Sequence, residues 1–183
     1  MSESQELTTH GFTPVSADDP LFGGITGELD HENGSLAVHG GGDVPRVEIR
    51  RAAGAPLETH VPIGTRDPER LTMTVGGESV SLRPAKGFLT RRSYRVDAGP
   101  ERQGGGRHRL VPAGVHTSRL LRDGRLLGEF ASTGDGKVSA EWKPGTTPEP
   151  RDAAIGYALA AAFGTGAEPM WRLILDALLD LWP

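Results

Sequence analysis

The segment that most constrains the fold is residues 152–163, with the sequence DAAIGYALAAAF. An acidic residue begins it and Gly164 follows it, and these boundary signals predict a helix over 152–163. Such a helix has no polar face, so it must be surrounded by protein. It is also too short to span a bilayer. The rest of the chain must therefore cover this helix.

The stretch before this helix has the period-two pattern of β-strands. Leu71, Met73 and Val75 alternate with threonines, and Gly76-Gly77 supplies a two-residue turn. Asp123-Gly124 marks a second hairpin. Further strands are predicted around 80–82, 88–96, 107–111, 115–121, 125–130 and 138–142. Short turns between them predict an antiparallel meander or barrel, so the predicted fold class is α+β, mostly β, with a buried apolar helix near the C-terminus.

Glycine and proline, at 26 and 14 residues, exclude a helical bundle and a coiled coil. Residues 1–25 are polar and lack a sustained period, which predicts a flexible N-terminal arm. Residues 26–183 are predicted to form a single β-rich domain, with edge or irregular β structure over 26–70. Gly164-Thr-Gly166 and Pro169 precede a second predicted helix over 168–182.

The net charge of −4 is distributed unevenly. Residues 1–82 carry 13 acids and 5 bases, whereas residues 83–125 carry 3 acids and 11 bases. This central basic block has two interpretations. It is either a binding surface for an anionic partner or a set of strand side chains whose charges meet those of neighbouring strands.

No motif in the chain fixes a chemistry. His39-Gly-Gly-Gly42 is similar to an oxyanion loop, but the Gly-x-Ser-x-Gly nucleophile motif that would accompany it is missing from the sequence. The six histidines show no paired metal spacing, and the chain has no cysteine. We therefore predict no catalytic residue, no metal and no cofactor.

The order of elements, and three local segments, resemble the tubby C-terminal-like superfamily, which includes the LURP-one-related and phospholipid scramblase-like proteins. The segments are GFLTRRSYRV from Gly87, RLVP from Arg109 and LRDGRLLG from Leu121, and the resemblance covers about residues 70–165. It implies a closed barrel around a buried helix and a binding function without catalytic residues. For anionic headgroups, the basic positions it implies are Lys86, Arg91, Arg92 and Arg95.

The sequence predicts a non-enzymatic binding or adaptor protein that docks a protein partner or an anionic surface, such as a membrane. Nucleic acid is disfavoured, because Phe88 and Tyr94 are the only aromatic residues of the basic block. Trp171 and Trp182 are candidate partner-docking residues on the second helix. One alternative is a structural subunit that uses this helix as its interface, including in a homo-oligomer; the other is a small enzyme with a site assembled from scattered residues.

The predicted location is the cytoplasm. The N-terminus has neither a basic start nor an apolar run, no stretch is long and apolar enough to cross a membrane, and cysteine is absent. The ratio of 17 arginines to 3 lysines suggests a bacterial source with a GC-rich genome.

Overall fold

Eleven antiparallel strands form one sheet in which every strand pairs with its neighbours in sequence. The computed structural model describes residues 12–85, 93–98, 105–132 and 137–166. The strands are β1 (Phe12–Asp19), β2 (Gly23–Asp30), β3 (Ser35–Gly40), β4 (Val47–Arg51), β5 (Leu71–Val75), β6 (Glu78–Pro84), β7 (Tyr94–Asp97), β8 (Arg107–Pro112), β9 (Thr117–Arg122), β10 (Arg125–Ser132) and β11 (Val138–Trp142). A single 3-10 turn, Pro68–Arg70, precedes β5.

The sheet curls into a nearly closed barrel. Its first and last strands meet at a seam, where Ser16 of β1 and Lys137 beside β11 form an isolated parallel bridge. The two strands run in the same direction because a meander with an odd number of strands ends in the direction in which it began. The predicted fold class, mostly β with a buried helix near the C-terminus, is confirmed.

Helix α1 (Pro150–Phe163) fills the barrel, and all but three of its residues are buried. It packs against strands from both halves of the sheet, from β3 to β11. The ring of Phe163 stacks on Tyr94 with centroids 4.3 Å apart, and Tyr157 meets Phe130 edge-on at 5.0 Å. The helix begins two residues before the predicted start, because Pro150 suits the first helical turn.

Gly156 lets the helix approach the sheet closely. A Cβ atom at this position would lie 2.4 Å from Cζ of Phe130 and 3.0 Å from a methyl carbon of Leu120. Only a residue without a side chain fits there, although glycine is a poor helix former. The choice of residue therefore follows from packing.

The prediction of a flexible arm over residues 1–25 is wrong for residues 12–25, the part of it that the structure describes. Residues 12–19 and 23–25 lie in β1 and β2, which pair in continuous register from Phe12↔Asp30 to Asp19↔Gly23. Val15 and Asp19 point inward and are buried, while the residues between them are exposed or half-buried. Tertiary pairing thus forms a strand where local propensity is weak. In 26–70, where edge or irregular β structure was predicted, the end of β2 and all of β3 and β4 are paired strands inside the sheet.

The two predicted hairpins are confirmed. Gly76 and Gly77 connect β5 to β6, and Asp123 and Gly124 connect β9 to β10. All four turn residues have positive φ, from 50° to 85°, as a tight two-residue hairpin turn requires. The second predicted helix, 168–182, lies outside the described residues.

Candidate functional site

Four arginines face outward around a cleft on the outer surface of strands β6 to β9. They are Arg83 on β6, Arg95 on β7, and Arg107 and Arg109 on β8, and all four are exposed. The cleft has a volume of about 600 Å³. Alternation along each strand creates this face, because it sends the intervening residues of the strands into the barrel interior.

The strand register places three of these arginines in one row. Arg83 lies opposite Arg95, and Arg95 lies opposite Arg109. The row ends at Leu121 on β9. Side chains directly opposite each other on antiparallel strands are close neighbours, so three like charges stand side by side. We call Arg83, Arg95 and Arg109 the arginine row.

Several other charged residues of the barrel lie beside an opposite charge. Arg119 on β9 lies opposite Glu129 on β10, with Nε 3.0 Å from Oε1. On β4, Glu48 binds both Arg46 at 2.8 Å and Arg50 at 3.2 Å. These guanidinium groups hold the pKa of Glu48 below its usual range.

The arginine row has no such counter-charge among the described residues. Arg83 donates from Nε to the neutral Ser81 hydroxyl at 3.2 Å. No described carboxylate lies within ion-pair distance of Arg83, Arg95 or Arg109. Like charges directly opposite one another destabilise a sheet. The row therefore carries an uncompensated positive charge that an anion would offset.

A second, mixed row lies beside the arginine row in the same cleft. Ser81, Asp97 and Arg107 lie opposite one another on β6, β7 and β8. Asp123, from the turn after β9, accepts a hydrogen bond from the backbone N–H of Arg107 at 3.0 Å. One side of the cleft is thus cationic, and the other combines the Arg107 guanidinium group with carboxylate and hydroxyl oxygens.

A polar network lies on the inner side of the same strands. His108, between Arg107 and Arg109, points inward and is 1% exposed, and its Nε2 lies 2.7 Å from Asp152 Oδ1. Arg122 donates to Asp152 Oδ2 at 2.7 Å and reaches Glu149 at 3.0 Å. The backbone N–H of Glu149 also donates to Asp152 at 2.7 Å. This network anchors the N-terminus of α1 to β8 and β9, beneath the cleft.

His108 and Asp152 form a hydrogen-bonded pair of the kind used in acid–base catalysis. Both side chains are 1% exposed, and the Nδ1 atom of His108 is buried without a hydrogen-bond partner among the described residues. A substrate would need to reach one of these atoms, and neither is open to the cleft. The geometry therefore supports a structural role for the pair.

A second buried cluster lies at the seam of the barrel. Asp19 on β1 accepts hydrogen bonds from the Tyr157 hydroxyl at 2.6 Å and from Trp142 Nε1 at 3.0 Å. The backbone N–H groups of Leu21 and Phe22 donate to its other oxygen. Burial and the hydrogen bond to Asp19 raise the pKa of the Tyr157 hydroxyl above its usual range. The cluster joins β1, β11 and α1 where backbone pairing is sparse.

Of the predicted site residues, Arg95 lies in the middle of the arginine row. Lys86, Arg91, Arg92, Trp171 and Trp182 lie outside the described residues. The sequence did not single out Arg83, Arg107 or Arg109, although they belong to the basic block. Strand alternation would have placed them outward, but only the register brings them together.

The interpretation that the charges of the basic block meet those of neighbouring elements holds for part of the block. Arg107, Arg119 and Arg122 meet acids on neighbouring elements. The arginine row does not.

In the described ranges, no group of three or more histidine or acidic side chains is arranged to hold a metal ion. None of the helices described is long and apolar enough to cross a membrane.

Comparison with known proteins gives no relative for this chain. No model of a protein family matches it, and neither a curated protein nor a solved structure has a significant match.

Proposed function

We propose that this protein is a non-enzymatic, cytoplasmic binding protein that docks an anionic partner in the cleft on strands β6 to β9. The observation that carries the proposal is the arginine row, three guanidinium groups in register without a counter-charge among the described residues. Guanidinium groups bind carboxylates and phosphates through two parallel hydrogen bonds, which suits them to anion recognition. An anion in the cleft would relieve the repulsion along the row.

The distribution of charge over the barrel supports the same proposal. The chain is acidic overall, yet its basic block carries 11 bases against 3 acids. A local basic face on an acidic protein attracts anions to one place and repels them elsewhere. Binding is therefore expected to depend on orientation and to weaken as salt screens the charges.

Membership of the tubby-like superfamily is a further part of the proposal. It is supported by the enclosed position of α1 inside the barrel, which is the architecture that the resemblance implies. The proposed ligand site does not depend on this membership, since it follows from the strand register.

Retention on a phosphocellulose column at neutral pH tests the proposal. We expect the full chain to be retained at low salt despite its net charge of −4. The double variant R95S/R109S should elute earlier. The matched control is R46S/R50S, which makes the same change in net charge at and just before β4, where both arginines form ion pairs with Glu48.

Two results would contradict the proposal. In one, the wild-type chain passes through the column at low salt. In the other, R95S/R109S and R46S/R50S elute at the same salt concentration, which would mean that net charge alone governs retention. Circular dichroism of each variant establishes that the barrel is intact.

A further inference from the structure

The arginine row also constrains the kind of partner that the cleft takes, and this inference rests on the proposed function. We propose that the partner is a protein that presents an α-helix with carboxylates three and four residues apart along one face. The axis of this helix lies across strands β6 to β9, parallel to the row. Its carboxylates pair with Arg83, Arg95 and Arg109, and an apolar side chain one turn further contacts Leu121.

The spacing of the row matches the repeat of an α-helix. Neighbouring strands lie about 4.8 Å apart, so the row from Arg83 through Arg95 to Arg109 spans roughly 10 Å at the backbone. An α-helix rises about 1.5 Å per residue, so side chains on one face recur about every 5 Å. Three carboxylates at positions i, i+4 and i+7 therefore span about 10.5 Å, close to the length of the row.

An extended acidic peptide matches the row less well. Side chains on one face of an extended chain recur at every second residue, so three carboxylates span about 13 Å. The last carboxylate then lies about 3 Å beyond the last arginine. Arginine side chains are long enough to follow it, but fixing them in that position costs conformational entropy. The row therefore favours a helical partner.

Leu121 extends the match by one position. It lies opposite Arg109 on β9, lines the same cleft and is half-buried. The fourth position of the row is thus apolar, and it corresponds to i+11 on the helix, which lies on the same face as i, i+4 and i+7. Three cations followed by an apolar group select three carboxylates followed by an apolar residue, an order that charge alone does not specify.

The cleft suits one face of a larger partner. It is half open and its arginines are exposed, so a helix can lie in it while the opposite helix face packs against the rest of the partner. Guanidinium groups bind carboxylates through two parallel hydrogen bonds. None of the described lining residues is aromatic, so this lining offers no stacking surface for the bases of single-stranded nucleic acid.

Fluorescence anisotropy of labelled peptides, titrated with the full chain, tests the proposal. The probe is an alanine-rich helical peptide of about 20 residues with glutamates at i, i+4 and i+7 and leucine at i+11. One control peptide has the same composition with its glutamates on different helix faces. Another carries a proline in the middle of the probe sequence, which breaks the helix. The probe should bind at least about tenfold more tightly than either control, because its three ion pairs form together.

Variants of the protein assign binding to the row. R95S should weaken binding of the probe about tenfold, since it removes the central guanidinium group. R46S removes the same charge from a residue that pairs with Glu48, and it should leave binding unchanged. L121S should weaken the probe but have no effect on a version with alanine at i+11, which isolates the apolar contact. Circular dichroism establishes that each variant is folded.

Equal affinity for the probe and for the peptide with scattered glutamates would overturn the proposal, because net charge alone would then govern binding. Tighter binding of an oligothymidylate with the same number of charges would also overturn it, in favour of nucleic acid. If phosphocellulose retains the chain through Arg95 and Arg109 but the probe binds no better than its controls, or not at all, the inference fails and the proposed function stands. If the wild-type chain is not retained, both fail.

Discussion

The Tyr157 hydroxyl of the central helix donates a hydrogen bond to the Asp19 carboxylate of the first strand, with 2.6 Å between the two oxygens. The residues are 138 positions apart, and Trp142 of the last strand binds the same carboxylate. One acidic side chain therefore holds together the two edges of the sheet and the helix inside it.

Removing this hydroxyl should weaken the barrel. We expect Y157F to lower the free energy of unfolding by about 2 kcal/mol, the usual size for a hydrogen bond to a charged group. Denaturant unfolding measures the change. Equal stability of Y157F and wild type would show that the hydroxyl contributes nothing.

Because the pKa of Tyr157 is raised, the effect of Y157F on the free energy of unfolding should depend on pH in alkaline solution. In the unfolded chain a tyrosine loses its proton near pH 10, whereas the folded protein keeps the proton on Tyr157 to higher pH. The stabilisation by Tyr157 is thus fully present below about pH 10 and is lost as the pH rises further. The stability difference between wild type and Y157F should shrink over this range.

Breaking the network around Asp152 should lower the free energy of unfolding more than removing the Tyr157 hydroxyl does. D152A leaves Arg122 and the buried His108 without their shared partner. Breaking a buried ion pair in this way costs about 3–5 kcal/mol, so a large fall in melting temperature is expected. E149A is the matched control, since it removes the half-exposed partner of the same Arg122 together with the N-cap of α1 and should cost about 0.5–2 kcal/mol. Similar losses in both variants would contradict this ranking.

Overpacking at Gly156 should destabilise the protein although it improves helix propensity. A valine there would collide with the Phe130 ring and Leu120, and overpacking of this kind costs about 1–3 kcal/mol. A161V is the control, because it adds the same residue at a less buried position of the same helix. Thermal unfolding by circular dichroism compares them. A G156V variant as stable as A161V would show that the helix moves away without loss.

The arginine row should reduce stability while no anion is bound. We expect R95T to raise the free energy of unfolding by about 0.2–1 kcal/mol at low salt, since it removes a like charge from two cross-strand pairs. R119T should lower it, because Arg119 faces Glu129. Both effects should fade at high salt as charges are screened. A loss of stability in R95T at low salt would show that the row is already compensated.

The sequence predicts those elements whose signals are local. The hairpins at Gly76-Gly77 and Asp123-Gly124 require positive φ at adjacent residues, and glycine and Asp-Gly pairs are the residue types that favour such turns. Helix α1 is also predictable from local sequence, because its apolar, alanine-rich segment lies between residues that typically begin and end a helix. Each of these predictions depends on neighbours within about a dozen positions.

The missed features depend on partners far away in the chain. Strand β1 contains Pro14 and an inward-facing acid, Asp19, which argue locally against a strand. Its pairing with β2 and the hydrogen bonds from Trp142 and Tyr157 compensate for both. No local pattern reveals that such partners exist.

The candidate site was only partly predictable for the same reason. The basic block and Arg95 are visible in the sequence, but neighbouring members of the arginine row are 12 and 14 positions apart. Whether they form a row or alternate with acids depends on the register of three strands. A shift of one residue would turn one of them to the other face.

The position of α1 after all eleven strands affects how the protein is made on the ribosome. The strands are synthesised first, and the segment that fills their interior emerges after them. Until then, the inward-facing leucines, valines and isoleucines of the sheet lack their main apolar partner, and exposed apolar surface and strand edges favour aggregation. A nascent chain halted before Pro150 thus leaves this apolar surface without the helix that covers it in the folded protein.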